Sequence, residues 1–130
     1  MKPLISIIIV SYNVIDLLKT CLDSIYNNSS GNVEVIVVDN NSSDNTVAMV
    51  RDNFDEVIVV ENKFNAGFPA ANNQAIRIAS AEIIFLLNPD TVIHDNALGE
   101  ICKQLTSMDD LKIVAPCLLN TDGSVQKSIQ

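Results

Sequence analysis

Two kinds of hydrophobic pattern alternate along this chain. Residues 4–10 ("LISIIIV") form an apolar, β-branched run, and Val14, Leu17, Leu18, Cys21, Leu22 and Ile25 then recur at i, i+3, i+4, i+7, i+8 and i+11. The first predicts a strand, the second one face of an amphipathic helix. The polar turn 27–31 ends that helix, and residues 33–38 ("VEVIVV") predict a second strand. A second helix should carry Val47, Val50 and Phe54, with Ser43 or Asp44 placed to cap it. Residues 57–60 predict a third strand, and Ala71, Ala75, Ile78 and Ala79 share one face of a third helix. Residues 83–87 predict a fourth strand, broken by Asn88-Pro89-Asp90. A fourth helix, capped by Asp95 or Asn96, carries Leu98, Ile101, Cys102 and Leu105. Residues 112–115 read as a fifth strand, Asn120-Thr121-Asp122-Gly123 as a hairpin turn, and 124–130 as a return strand.

Apolar runs without polar alternation belong to strands buried on both faces, which is the habit of parallel sheets. Strand–helix–strand repetition with right-handed crossovers then gives an α/β fold: an open, mostly parallel, doubly wound sheet with helices on both faces. A length of 130 residues suits one domain spanning 1–130. With 48% hydrophobic and 18% charged residues, the chain is too apolar to be disordered. The run 4–10 falls short of the about 20 residues a membrane span needs, and no small-residue cleavage site follows it.

Charge narrows the function. Eight Lys and Arg stand against sixteen Asp and Glu, a formal charge of −8. Such a chain is a poor non-specific binder of nucleic acid or anionic lipid, so a phosphate ligand must be held locally, by backbone amides or a metal. Cys21, Cys102 and Cys117 are far apart without metal-ligand spacing. They read as buried, reduced thiols of a cytoplasmic protein.

Open parallel sheets bind ligands at the carboxyl ends of their strands. Here those ends are Ser11-Tyr12-Asn13, the polar loop from Asp39 to Asp44, and Asn88-Pro89-Asp90-Thr91. Dinucleotide, P-loop and hydrolase-elbow signatures are all missing from the strand exits. A phosphoacceptor receiver domain would need an acidic pair after the first strand and a Lys after the fifth; neither is present.

The segments "SIIIVSYN", "VEVIVVDNNSSDNT", "NKFNAGFPAANNQAI" and "IIFLLNPDT" occur in an order and spacing that resemble the N-terminal, donor-binding half of family 2 glycosyltransferases. The Asn-Pro-Asp variant and "LLNTDGSVQKS" are most similar to bacterial rhamnosyltransferase-type members, which build surface polysaccharide. The resemblance implies a GT-A fold, a Rossmann-like nucleotide-sugar-binding domain. It implies that Ser11, Tyr12 and Asn13 hold the nucleobase and ribose of a UDP- or dTDP-linked sugar, and that Asp39 accepts the base imide N–H. Asn41, Ser42 and Asp44 match the rest of that loop. Asn65, Gly67, Asn72 and Asn73 match the stretch beneath sugar and diphosphate, although Asn72 stands where the commoner pattern has Arg. Asn88 and Asp90 match a motif that normally carries two acids; Asp90 alone would ligate Mg²⁺ or Mn²⁺.

The implied reaction is inverting transfer of the sugar to a hydroxyl acceptor, such as a lipid-linked glycan at the inner face of the membrane. The resemblance implies that the general base is a carboxylate of the acceptor-side half, beyond residue 130; within the chain Asp109 and Asp110 read as a helix-end loop, Asp122 as part of a turn and His94 as surface. A chain without that base has an alternative role as a non-catalytic nucleotide-sugar-binding module.

Overall fold

The computed structural model describes residues 2–29 and 31–127. Four strands and four helices alternate: β1 (Ile5–Ser11), α1 (Ile15–Asn27), β2 (Val33–Asp39), α2 (Thr46–Asn53), β3 (Ile58–Glu61), α3 (Phe68–Ile78), β4 (Ile83–Leu86) and α4 (Ala97–Ser107). The chain divides into two compact units, Met1–Asn96 and Ala97–Gln130. The first holds one sheet of order β3-β2-β1-β4, in which every pairing is parallel.

This order follows from the crossover rule. Two successive right-handed steps, β1 to β2 and β2 to β3, place α1 and α2 on one face. The return from β3 to β4 crosses the sheet and puts α3 on the other. There Ala71 and Ala75 pack with Ile8, Ile36 and Val38, and Val10, Val60, Ala79 and Ile84 close around them. Small side chains on α3 let the helix approach the large β-branched ones closely. The alternate residues Ile7, Ile9, Val35 and Val37 point the opposite way and are equally buried, as are Leu18, Cys21, Leu22 and Ile25 of α1 and Val50 of α2.

The sheet's amino-terminal edge is clamped. The Glu34 carboxylate accepts hydrogen bonds from Ser6 Oγ (2.7 Å), Ser80 N (2.9 Å) and Ser80 Oγ (2.7 Å), joining β1, β2 and the α3–β4 turn. Burial works to raise its pKa, but these bonds outweigh burial and hold the carboxyl below the ordinary value.

Several expectations are corrected. Residues 112–115 form no strand, and Ile113 is 86% exposed; a short apolar run becomes a strand only where a neighbour supplies a ladder. The hairpin turn is present, with Gly123 at φ +87° and a single antiparallel bridge between Leu119 and Val125. The expected return strand reduces to that bridge; residues 128–130 lie outside the described residues. Leu17 and Ile78, expected on buried faces, are about half exposed. Cys21 and Cys102 are buried and free, but Cys117 is exposed.

Candidate functional site

The exits of β1 and β2 lie side by side, because Ser11 pairs with Asp39 in register. Asp39 is buried, and its carboxylate folds over its own loop: Oδ2 accepts from Ser42 N (2.9 Å) and Oδ1 from Ser42 Oγ (2.6 Å). Ser42 Oγ in turn accepts the Asn13 N–H (2.9 Å), and Asn13 Oδ1 accepts from Ser43 N (2.7 Å) and Ser43 Oγ (3.2 Å). The two loops are thus laced together. Asn13 (φ +54°) and Asn41 (φ +67°) turn in the left-handed region, which Asn tolerates better than other side chains. Asp44 binds backbone at two helix starts, accepting from Ile15 N (3.2 Å) of α1 and from Thr46 N (3.2 Å) and the Thr46 hydroxyl of α2. Tyr12 is exposed, whereas Ser11 Oγ is buried and is the one buried side-chain polar atom without a partner among the described residues.

A concavity of about 460 Å³ opens beside these loops; Asp39, Asn41, Ser42, Asp44, Arg51, Glu61 and Asn62 are among its lining residues. Arg51 reaches Glu61 across it (Nη2–Oε2 3.3 Å). The 62–67 loop completes this side. Gly67 caps α3 at φ +83° and ψ 166°, a conformation that belongs to glycine, and its N–H bonds Asn65 Oδ1 (2.9 Å). Asn72 is buried and spends its amide on Phe68 O (3.0 Å), whereas Asn73 is exposed.

On the other side of β1, the ladder with β4 ends where Leu87 N meets Ile8 O, and Pro89 then has no N–H to continue it. The chain beyond is stapled to α1. Thr91 Oγ1 and Cys21 Sγ both donate to Asn88 O, and Ser24 Oγ and Asn28 Nδ2 bond the Ile93 backbone. Burial pushes the Cys21 thiol up to about 11; its hydrogen bond with Thr91 opposes this and the Asp90 charge adds to it. Asp90 itself stands exposed. No group of three or more His, Cys, Asp or Glu able to hold a metal occurs among the described residues. One free carboxylate suits a hard divalent cation only when substrate phosphate and water supply the remaining ligands, which is how Mg²⁺ and Mn²⁺ are commonly bound.

The family profile described as glycosyl transferase family 2 matches residues 6–124. The chain belongs to this family. It is 37% identical over 100 residues to the poly(ribitol-phosphate) beta-glucosyltransferase of Bacillus spizizenii, covering 72% of this chain and 16% of that protein. It is 31% identical over 114 residues to glycosyltransferase GlyG of Streptococcus pneumoniae, covering 84% and 37%. Among solved structures, the mannosyltransferase PcManGT of Pyrobaculum calidifontis, in complex with GDP-Man and Mn²⁺, superposes with a TM-score of 0.73 at 29% identity over 81% of this chain and 33% of that one. Staphylococcus aureus TarS 1–349 in complex with UDP-GlcNAc superposes with a TM-score of 0.72 at 20% identity, over 86% and 37%, and shares the fold. The family domain described here therefore spans well under half the length of these relatives. No helix among the described residues is long and apolar enough to cross a membrane.

The structure also brings forward residues that the sequence reading passed over. Asn40, Asn62 and Gln74 form a connected amide cluster behind the loops. Their type, asparagine and glutamine in polar stretches, carries no sign of burial; only the alignment of three separate segments does.

Proposed function

We propose that this chain carries the nucleotide-sugar-binding part of a metal-dependent, inverting glycosyltransferase. It would serve transfer of a hexosyl or rhamnosyl unit from a UDP- or dTDP-linked sugar to a hydroxyl acceptor in surface polysaccharide synthesis, as a cytoplasmic or peripheral membrane protein. The single observation behind this reading is the shared exit edge of β2, β1 and β4, with Asp39 beside Ser11 and Asp90 on the far side of β1. The family membership and the bound nucleotide sugars named for PcManGT and TarS support it.

In this reading Asp39 accepts the base imide N–H with lone pairs left free by Ser42. Tyr12 and Asn13 flank base and ribose, and Asn65, Gly67 and Asn73 face the sugar diphosphate. Asp90 holds Mg²⁺ or Mn²⁺, which when bound neutralises charge on the departing diphosphate. The general base is assigned to none of the described residues. Asp122 is bound by Ser124 Oγ (2.6 Å) and Ser124 N (2.9 Å), which hold its carboxyl below the usual range and make it a weak proton acceptor.

Calorimetric titration with UDP, dTDP and GDP, each with and without Mn²⁺, tests the reading. One nucleotide should bind at least ~10-fold tighter with Mn²⁺, a difference of about 1.4 kcal/mol, and Asp90→Ala should abolish that gain. Binding that ignores both metal and Asp90→Ala overturns the metal role, and no binding to any nucleotide overturns the whole. A panel of rhamnosyl, glucosyl and mannosyl donors separates the sugars.

A further inference from the structure

Asn40 follows Asp39 at the β2 exit and is only 2% exposed. Its backbone N–H bonds Ser11 O (2.9 Å), which fixes it to β1. Its side chain reaches the opposite way, into the 62–67 loop. Oδ1 accepts from Asn62 Nδ2 (3.0 Å) and from Ala66 N (3.3 Å), and Nδ2 donates to Gly67 O (3.3 Å). Asn62 and Gln74 of α3 exchange two hydrogen bonds of 2.8 Å each, so the cluster also grips the helix behind the loop. Every side-chain polar atom of Asn40 is used, and the pattern needs an acceptor and a donor on one short side chain. Aspartate cannot donate to Gly67 O when ionised, and alanine can do neither.

We propose that Asn40 is a positioning residue: its carboxamide locks the 62–67 loop to the end of β2 and so sets Asn65 and Gly67 relative to Asp39. The consequence for ligand binding rests on the nucleotide-sugar reading above; the mechanical claim does not. Asp39 and the 62–67 loop would grip opposite ends of one ligand, base and diphosphate. Loss of Asn40 should then weaken diphosphate binding while leaving base binding nearly intact.

Two measurements on the full chain test this. Amide hydrogen exchange followed by NMR should show the Ala66 N–H exchanging at least ~10-fold faster in Asn40→Ala, with the Leu87 N–H in the ladder unchanged. Asn40→Asp keeps the acceptor for Ala66 but sets a carboxylate against Gly67 O. It should spare Ala66 and speed exchange of the Ala71 N–H, which bonds Gly67 O at 3.2 Å in the first turn of α3. Unchanged Ala66 exchange in Asn40→Ala overturns the proposal; should that variant not fold, unchanged Ala71 exchange in Asn40→Asp does so. In parallel, with Mn²⁺, Asn40→Asp should lose ~10-fold in affinity for UDP and less than ~3-fold for UMP. Equal losses for both overturn the positioning role in binding. A wild-type chain that binds no nucleotide refutes the functional reading alone, because the exchange data still decide the mechanical claim.

Discussion

Asp44 offers the sharpest test of how the polar loop after β2 is built. Its two oxygens serve Ile15 N–H at the start of α1 and both the N–H and hydroxyl of Thr46 at the start of α2, and Thr46 is fully buried. Asp44→Ala removes both acceptor oxygens and with them three hydrogen bonds at once. Losing a side-chain acceptor at a helix start costs about 1 kcal/mol each, and stranding the buried Thr46 hydroxyl adds roughly 1–2 kcal/mol, at the low end because Asp44 is half-buried and water can follow. The sum is about 3 kcal/mol, which for a domain of this size lowers the melting temperature by roughly 10 °C. Asp44→Asn keeps one carbonyl acceptor and should recover about half of that. Thermal unfolding followed by circular dichroism reads both. A melt of Asp44→Ala within about 2 °C of the parent chain would refute the double-cap account. Loss of nucleotide binding with an unchanged melt would instead assign Asp44 to the ligand.

Two further outcomes follow from groups away from that loop. Glu34→Ala should destabilise the chain by about 1–3 kcal/mol at pH 7, since it removes the acceptor of three hydrogen bonds. Because the Glu34 pKa is depressed in the folded state, its contribution is complete above the unfolded carboxyl value of about 4.3 and fades as pH falls through the folded value. Urea unfolding of parent and variant should therefore converge toward pH 3, and an equal gap at both pH values contradicts the clamp. A thiol reagent at pH 8 should modify exposed Cys117 quickly and spare Cys21, which is fully buried with its thiol pushed up to about 11. Rapid labelling mapped to Cys21 by mass spectrometry would refute the buried assignment.

What the sequence revealed depended on how much of each signal was local. β1 and β2 were legible because a strand covered on both faces must be apolar throughout, and Ile5, Ile7, Ile8 and Ile9 are all essentially inaccessible. Residues 112–115, with Ile113 and Val114 at their centre, form no strand, because ladder partners are not written into a four-residue run. The exit loops were legible as polar and as the edge where a parallel sheet presents its chemistry. Which of their side chains hold the loops and which remain open was not, since that depends on the meeting of segments 26 to 65 residues apart. Asn28 with Ile93 and Asn40 with Ala66 are such meetings.

That division bears directly on the candidate ligand set. Asparagine and aspartate suit a sugar-nucleotide pocket, but they also suit loops that must turn with positive φ and satisfy their own backbone. In this fold much of that capacity is already committed: Asn13 to Ser43, Asp44 to two helix starts, Asn65 to Gly67, Asn72 to Phe68. Other candidate groups stand apart. Tyr12, Asn41, Asn73, Asn88 and Asp90 are exposed, and Ser11 Oγ is buried without a partner beside Asp39. A buried hydroxyl left unpaired costs about 1–3 kcal/mol, and a ligand that bonds it regains that free energy only on binding. Ser11→Ala should accordingly leave the unliganded chain as stable or more so, while weakening whichever nucleotide binds. A Ser11→Ala chain that melts markedly lower without ligand would show that the hydroxyl already has a partner, and would remove it from the site.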